Sequence, residues 1–579
     1  MRETICRSSR DRLAIVFLAF AILTPGCVAS GASSPSQQPE SRGDRPATVR
    51  RLAAAIMGDP PALRQTVATS GSTGQIAGLD TVEELLNVGL VTVDHMGRLH
   101  PQLAESVPTV ENGQWKLLPD GRMEILWRIR PGARWHDGTP FTADDVVFTV
   151  QVGADPEVPL FADPIFDFIE SIEAPDARTV LTRWKQPYIE ADAAFRSGTA
   201  TAPLPRHLLA SAYATDKAGF GQVPYWSSEF VGTGPYRLKE LVRGSHLILE
   251  MNPEYVLGRP KVPEIEVKFF PDPNILLANI LAGSVEMTLG RALSIDQALQ
   301  LRDEWKEGHV ETAYVLWSAA FPQLMSPSPA IVGDARFRRA LMHAVDRQQL
   351  VDTLQGGLGW VAHSIHYPDI PEYKEVDSAI VKYEYDPRKA RAQIEQLGYT
   401  AGPDGILRDA NQQRLAVEVR HTTFDIEVKT ALAVTDYWQR AGVAAEPTPI
   451  TPQRSRDREY RANFPGFELF GNPGNLQALA RIRISQTPLP ENGYTGTNRT
   501  RYVNPEFDAL LERYFNTISK VERAPLVAQI VHHLTDEVIW MGMYHRVDPS
   551  VIPNRIRNVW PRTDEATQAW NAHEWEPVP

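Results

Sequence analysis

The apolar and polar residues of this chain alternate between the period of a strand and the period of a helix. Over 123–130, the apolar residues Ile125, Trp127 and Ile129 alternate with the charged residues Glu124, Arg128 and Arg130, which is the pattern of a half-buried strand. Pro131-Gly132 ends this strand, and Thr142 with Asp145 three residues later predicts the capping box of a helix. Strand, turn and capped helix make this stretch a rigid structural piece, and nothing in it is arranged for catalysis.

The same two periods recur along the rest of the chain. Residues 265–270, 274–282 and 285–289 predict a strand, a helix and a second strand, which is a βαβ unit. Asp334 and Asp346 each precede an apolar run of helical period and are predicted to be N-caps. This order of elements predicts an α/β fold.

The N-terminal residues have the pattern of an export signal. A basic stretch is followed by the apolar run 13–23, which is too short to span a bilayer as a mature helix, and then by Gly26-Cys27. We expect cleavage after residue 26 and lipidation of Cys27, with ordinary signal-peptidase cleavage as the alternative. Residues 27–47 are rich in Ser, Gly, Pro and Gln and predict a disordered tether.

Composition excludes several classes of function. The formal net charge of −12 opposes binding to nucleic acid or to an anionic membrane surface. The two cysteines, Cys6 and Cys27, both lie in the leader region, so the body has no disulfide, Cys-based zinc site or cysteine nucleophile.

Motifs that would indicate an enzyme are also missing. The sequence contains no G-x-S-x-G, H-E-x-x-H or phosphate-loop motif. His363 with His366, and His532-His533, lack a spacing that requires a metal. We therefore expect neither an enzyme nor a bound cofactor or metal.

Several runs of the sequence resemble one family of proteins. The run RIRPGARWHDGTPFTADDVVF, residues 128–148, closely resembles the signature of the bacterial extracellular solute-binding proteins of family 5, the oligopeptide-, dipeptide- and nickel-binding class. Further runs at 231–255, 334–357, 385–399 and 496–510 match in the same order.

This resemblance implies a two-lobed α/β periplasmic-binding-protein (Venus-flytrap) fold with an extra subdomain inserted in lobe one. The implied limits are a signal peptide at 1–26, a tether at 27–47, lobe one at 48–85, 206–310 and 546–579, the inserted subdomain at 86–205, and lobe two at 311–545.

The resemblance also implies a function. Such proteins are exported receptors that deliver a small-molecule or peptide ligand to the transmembrane permease of an ABC transporter. For this chain we expect an oligopeptide ligand, a monomer, a location in the periplasm or on the outer face of the cytoplasmic membrane, and a lipid anchor.

By the same resemblance the ligand lies between the lobes, and seven residues are candidates for its site. The walls would be Trp317, Phe321, Phe470, Asn472 and Asn475, with Arg291 and Arg499 as charge partners. For Trp317 and Phe321 the alternative is a place in the core, and for Arg291 it is an ordinary surface position.

One candidate departs from the family pattern. Peptide-binding members carry an aspartate that pairs with the α-ammonium of the ligand, and Asn472 stands where we align it. An amide cannot neutralise a charge, which argues against peptides with a free amine. An oligosaccharide or other non-peptide solute, or a role as envelope peptide sensor or chaperone, are the alternatives.

Overall fold

The computed structural model describes residues 51–68, 76–161, 163, 165–368, 374, 376–451, 453–455 and 457–578. The predicted signal peptide, the tether and Cys27 lie outside the described residues.

The strands, in chain order, are β1 (Leu52–Met57), β2 (Val91–Val93), β3 (Leu99–Pro101), β4 (Trp115–Leu117), β5 (Met123–Arg128), β6 (Ile169–Asp176), β7 (Thr179–Trp184), β8 (Tyr236–Val242), β9 (His246–Met251), β10 (Glu264–Phe270), β11 (Met287–Thr288), β12 (Gly308–Pro322), β13 (Trp360–Val361), β14 (Thr400–Ala401), β15 (Leu407–Arg408), β16 (Ala416–His421), β17 (Ala444–Pro449), β18 (Phe467–Asn472), β19 (Met541–Pro553), β20 (Ile556–Arg557) and β21 (Glu576–Pro577).

The α-helices are α1 (Gln65–Ala68), α2 (Leu79–Leu86), α3 (Ala143–Gly153), α4 (Ile165–Phe168), α5 (Arg206–Thr215), α6 (Pro273–Leu281), α7 (Ile295–Glu304), α8 (Ala335–Ala344), α9 (Arg347–Leu354), α10 (Pro387–Gln396), α11 (Asp425–Arg440), α12 (Arg458–Ala462), α13 (Pro505–Asn516) and α14 (Lys520–Asp536). Short 3₁₀ segments connect several of them, and one of these, Leu476–Ile482, borders the site described below.

The first sheet contains the predicted βαβ unit. Its strand order is β11-β1-β10-β9-β8, with β1 parallel to both β10 and β11 and the remaining pairs antiparallel. Its core also includes Ile556, Val559 and Trp575, so the C-terminal segment packs against the same sheet as the N-terminal strand.

The second sheet has the order β13-β19-β12-β18-β16-β17. Its central strands β12 and β19 form a long antiparallel ribbon that pairs from Gly308 with Pro553 to Ala320 with Met541. At one end of the ribbon Val551 packs with Ala55 and Phe270 beside the first sheet, whereas at the other end Met541 lies in the core of the second sheet. The ribbon therefore joins the two sheets.

A third sheet, of order β4-β5-β7-β6, has its own core around Trp127 and Trp184. Each of the three larger sheets draws on a different stretch of the chain. The predicted lobe limits at 310/311 and 545/546 fall inside β12 and β19, and the exact division into lobes and subdomain remains a prediction.

The local predictions made from capping residues are confirmed. Thr142 and Asp145 form the capping box of α3, and the side chains of Asp334 and Asp346 accept hydrogen bonds from the first turns of α8 and α9. None of the described helices combines the length and apolar character needed to cross a membrane.

Candidate functional site

Four of the seven candidate residues lie on one face of the β12–β18 pair. In this antiparallel ladder Trp317 is opposite Asn472, Ala319 is opposite Phe470, and Phe321 is opposite Glu468. Because directly opposed residues project to the same side of a sheet, the four candidates share a face with the carboxylate of Glu468. We call this surface the β18 face.

The aromatic residues of the β18 face stack on one another. The rings of Phe321 and Phe470 are stacked with centroids 4.4 Å apart, and Trp317 contacts Trp540 edge to face at 6.0 Å. Trp317 and Phe321 are each only 1% exposed, whereas Phe470 remains partly exposed. The first two side chains thus lie behind Phe470 in the hydrophobic cluster.

Space beside Trp317 is limited. A cavity of about 10 Å³ is lined by Trp317, Ser364, Ile365 and Trp540, among others. Such a volume holds at most about one water molecule. The space beside Trp317 itself therefore does not hold a solute the size of a peptide.

Glu468 carries the negative charge of the β18 face. It is 1% exposed and forms ion pairs with Arg461 and, at 3.4 Å, with Arg499. The Arg499 guanidinium also lies over the Phe470 ring at 5.9 Å, and burial lowers its pKa. Arg499 thus lies beside the residues of the β18 face. It shares the Glu468 carboxylate with Arg461.

Asn472 and Asn475 lie at the turn that follows β18. The Oδ1 atom of Asn472 accepts a hydrogen bond of 2.8 Å from Nη1 of Arg481. Asn475 caps the 3₁₀ segment Leu476–Ile482, accepting from the backbone N–H of Ala478 at 3.1 Å. The 3₁₀ segment thereby turns the chain back toward β18, so that Arg481 reaches the Asn472 side chain.

Arg291 has a different environment from the other candidates. Its guanidinium forms a 2.5 Å ion pair with Asp548, which lies on β19 opposite Ala313. Its charge is thus balanced by β19 rather than by a residue of the β18 face.

The turn after β18 lies against Tyr314. A Cβ added at Gly474 would meet the Tyr314 hydroxyl at 1.9 Å and the backbone oxygen of Ile365 at 2.5 Å. Burial raises the pKa of Tyr314 well above its usual range, and the negative charge of Asp564 adds to this effect. Asp564 belongs to the C-terminal segment, which packs against the first sheet through Ile556, Val559 and Trp575.

Asp564 is itself a perturbed carboxylate. Burial raises its pKa to about 7, with the neighbouring Glu565 adding to the rise and Arg562 and Arg196 opposing it. An aspartate with such a pKa is only partly ionised near neutral pH.

The histidine pairs noted in the sequence have different environments. Burial lowers the pKa of His363 and of His366 to about 4, so both imidazoles are neutral at pH 7. His532 is exposed and its Nδ1 contacts the backbone oxygen of Ala379. In the part of the chain that the structure describes, no group of three His, Cys, Asp or Glu side chains is arranged to hold a metal ion.

Three residues near the site were not predicted from the sequence as site residues: Arg481, Tyr314 and Asp564. Arg481 is only nine residues from Asn472, and the capping position of Asn475 is the one local signal for the turn that joins them. Tyr314 and Asp564 are far apart in sequence, so no local pattern connects them.

Comparison with known proteins assigns the chain to a family. Residues 98–475, well over half of the chain, match the profile of the bacterial extracellular solute-binding proteins, family 5 middle region. The match with a putative ABC transporter peptide-binding protein from Brucella ovis is 30% identical over 272 residues and covers 46% of this chain. The chain spans about half the length (48%) of the curated relatives matched at this level.

A second relative matches over nearly its whole length. The oligopeptide-binding protein AppA from Bacillus subtilis is 22% identical over 552 residues, covering 93% of this chain and 94% of AppA. Its structure in complex with a nonapeptide superposes with a TM-score of 0.65 and 20% identity, over 92% of this chain and 99% of that one.

The structure of NikZ from Campylobacter jejuni, in complex with Ni(L-His), superposes with a TM-score of 0.67 and 21% identity, over 91% of this chain and 99% of that one. At such low identity the likeness establishes the fold, which is the two-lobed α/β fold of periplasmic binding proteins. Together with the profile match, it shows that this chain belongs to the bacterial extracellular solute-binding proteins of family 5.

Proposed function

We propose that this protein is the extracytoplasmic receptor of an ABC importer, which binds an oligopeptide between its lobes and presents it to a transmembrane permease. The observation that carries the proposal is the match with oligopeptide-binding AppA over 93% of this chain. The family consists of solute-binding receptors, and on this ground we propose that the chain has no enzymatic activity.

The β18 face supports a binding role between lobes. It combines a partly exposed aromatic ring, Phe470, with the amide groups of Asn472 and Asn475 and with Arg499. Apolar surface with a few convergent polar groups is typical of ligand sites. We propose that Trp317 and Phe321 pack behind Phe470 and hold its ring in place. We also propose that Arg291 contacts the ligand near the place where the ribbon joins the two sheets.

Uptake in whole cells tests the transport role. A strain that lacks this protein should fail to accumulate labelled peptides that the parent strain imports, and the plasmid-borne gene should restore uptake. Unchanged uptake in the deletion strain would indicate an envelope sensor or chaperone instead.

A non-peptide solute is the second candidate. Two observations favour it: Asn472 is neutral where peptide-binding members carry an aspartate, and NikZ, of the same fold, is complexed with Ni(L-His). Competition by sugars or by metal chelates, but not by peptides, would support this candidate.

We also propose that the mature protein is a monomer anchored through lipidated Cys27. Replacement of Cys27 by alanine should release the protein from the membrane fraction and abolish incorporation of radiolabelled palmitate. Retention in the membrane fraction without palmitate would contradict the lipid anchor.

A further inference from the structure

Several arginines lie around the β18 face, and they outnumber the carboxylates that pair with them. Arg461 and Arg499 share the buried carboxylate of Glu468. Arg501, at the same end of the strand, is 6% exposed and donates to the neutral amide of Asn463 at 2.7 Å. Among the ion pairs of the described residues, these three arginines therefore have one carboxylate between them.

Arg481 extends this excess to the other end of the strand. Its Nη1 donates to the amide oxygen of Asn472, and across the described residues no carboxylate lies within ion-pair distance of its guanidinium. Although the residue as a whole is exposed, partial removal of the guanidinium from water lowers its pKa. Arg481 is thus a cation whose hydrogen-bonding partner is a neutral amide.

A nearby arginine shows the ordinary arrangement. Arg483, two residues further along, lies 3.6 Å from Asp508 and 3.8 Å from Glu512, and these carboxylates balance its charge. The lack of a carboxylate therefore distinguishes Arg481 from its closest basic neighbour.

Position connects Arg481 to the ligand site. Asn472, its partner, lies opposite Trp317 and begins the turn that packs against Tyr314. Tyr314 lies on β12 between the end that packs beside the first sheet and the part that pairs with β18, so the turn lies at the end of β18 that is nearer the first sheet. At this position the Arg481 guanidinium has N–H donors that Asn472 does not use. These donors can bind a ligand group that enters between the lobes.

We propose that Asn472 and Arg481 bind a carboxylate of the ligand, so that the ligand's anionic end, rather than its ammonium, docks at the end of β18. This inference rests on the proposed peptide-receptor function and specifies the polarity of the ligand. A guanidinium fork matches a carboxylate with two parallel hydrogen bonds, which makes such a contact both strong and directional. For a peptide the group is the C-terminal carboxylate.

Four versions of one pentapeptide with neutral side chains test the proposal. They carry a free or acetylated N-terminus and a free or amidated C-terminus, and their affinities are measured by titration calorimetry with the ligand-free mature protein. Amidation should weaken binding by at least about tenfold, because it removes the charge that Arg481 meets. Acetylation should change the affinity by less than about threefold.

Variants of the protein locate the effect. Arg481→Gln should bind the amidated and free-acid peptides with nearly equal affinity, and Arg481→Lys should retain part of the discrimination because it keeps the charge. Asn472→Asp places a carboxylate beside Arg481 and should also abolish the preference for a free C-terminus. Arg483→Gln is the matched control and should discriminate like the wild type. Circular dichroism verifies the fold of each variant.

The outcomes are distinguishable. Loss of discrimination in Arg481→Gln but not in Arg483→Gln supports the proposal. Peptide binding that is weakened by acetylation and not by amidation, or discrimination that survives in Arg481→Gln, overturns it while leaving the peptide-receptor function intact. If none of the four peptides binds the wild type, the peptide-receptor function fails and this inference fails with it.

Discussion

At the scale of single residues, the charge arrangement on the β18 face depends most on Glu468. Its carboxylate is buried between two arginines, so its removal leaves both cations without a counter-charge. Breaking a buried ion pair in this way is far more damaging than removing a surface pair, because the remaining charge stays out of water.

We expect Glu468→Gln to lower the free energy of unfolding by about 3 kcal/mol, as measured by urea denaturation. The control is Asp425→Asn, since Asp425 is 79% exposed and pairs with Lys429 one helical turn away at 2.7 Å. The control should cost less than about 0.5 kcal/mol. Equal effects in the two variants would contradict the structural role assigned to Glu468.

Asp564 gives the protein a specific pH dependence. Its pKa in the folded protein, about 7, lies above that of an ordinary aspartate. Its contribution to stability is therefore fully present below about pH 4 and is lost as the pH rises through 7, because the buried carboxylate must then ionise.

Asp564→Asn removes this ionisation. We expect the variant to melt about 1–3 °C higher than the wild type at pH 8 and at the same temperature near pH 4. Differential scanning calorimetry at the two pH values measures both differences. A lower melting temperature of the variant at pH 8 would mean that the ionised carboxylate is stabilised by a partner.

At the scale of elements, the turn after β18 positions the candidate site. Gly474 approaches Tyr314 and the Ile365 backbone so closely that a side chain has no room. We expect Gly474→Ala to displace the turn, to lower the melting temperature and to weaken ligand binding at least about tenfold, because Asn472 and Arg481 move with it.

Gly333→Ala is the control for this substitution. Its added Cβ would meet one atom of Pro327 at an ordinary 3.4 Å, and the variant should bind and melt like the wild type. Normal binding by Gly474→Ala would show that the turn does not position the site.

The sequence predicts the helices and strands better than it predicts the site. Local patterns determine the helices and strands, whereas contacts between distant residues determine the site. Asp334, Asp346 and Thr142 cap their helices as expected, since a cap depends on residues only a few positions away. Trp317 and Asn472 become neighbours only when β12 and β18 pair, and no periodicity in either strand specifies its partner.

The charge partners show the same limit. Arg499 and Arg291 were candidates for ligand contacts, and the structure pairs them with Glu468 and Asp548, the latter more than 250 positions away in the chain. Arg481 is close to Asn472 in sequence but was not predicted, because a 3₁₀ segment rather than a periodic helix connects them.

At the scale of the whole molecule, the β12–β19 ribbon connects the first sheet to the second. It packs into the core beside the first sheet at one end and into the second sheet at the other, and its register shifts between Tyr314 and Leu316. Such an irregularity is a place where a strand pair bends. We propose that lobe closure is a hinge motion about this ribbon.

Closure predicts a change in size on ligand binding. The radius of gyration measured by small-angle X-ray scattering should be smaller with saturating ligand than without it, because the ligand binds the closed form more tightly. An unchanged radius of gyration at saturation would contradict a hinge at the ribbon.

The most direct test of the central claim, that this chain is a peptide receptor, is native mass spectrometry of the mature protein purified from a cell envelope without refolding. We predict bound species that form a heterogeneous series of peptide masses and dissociate when the protein is unfolded. A single discrete adduct, or masses spaced by a sugar unit, would show that the fold serves another solute and would contradict the account.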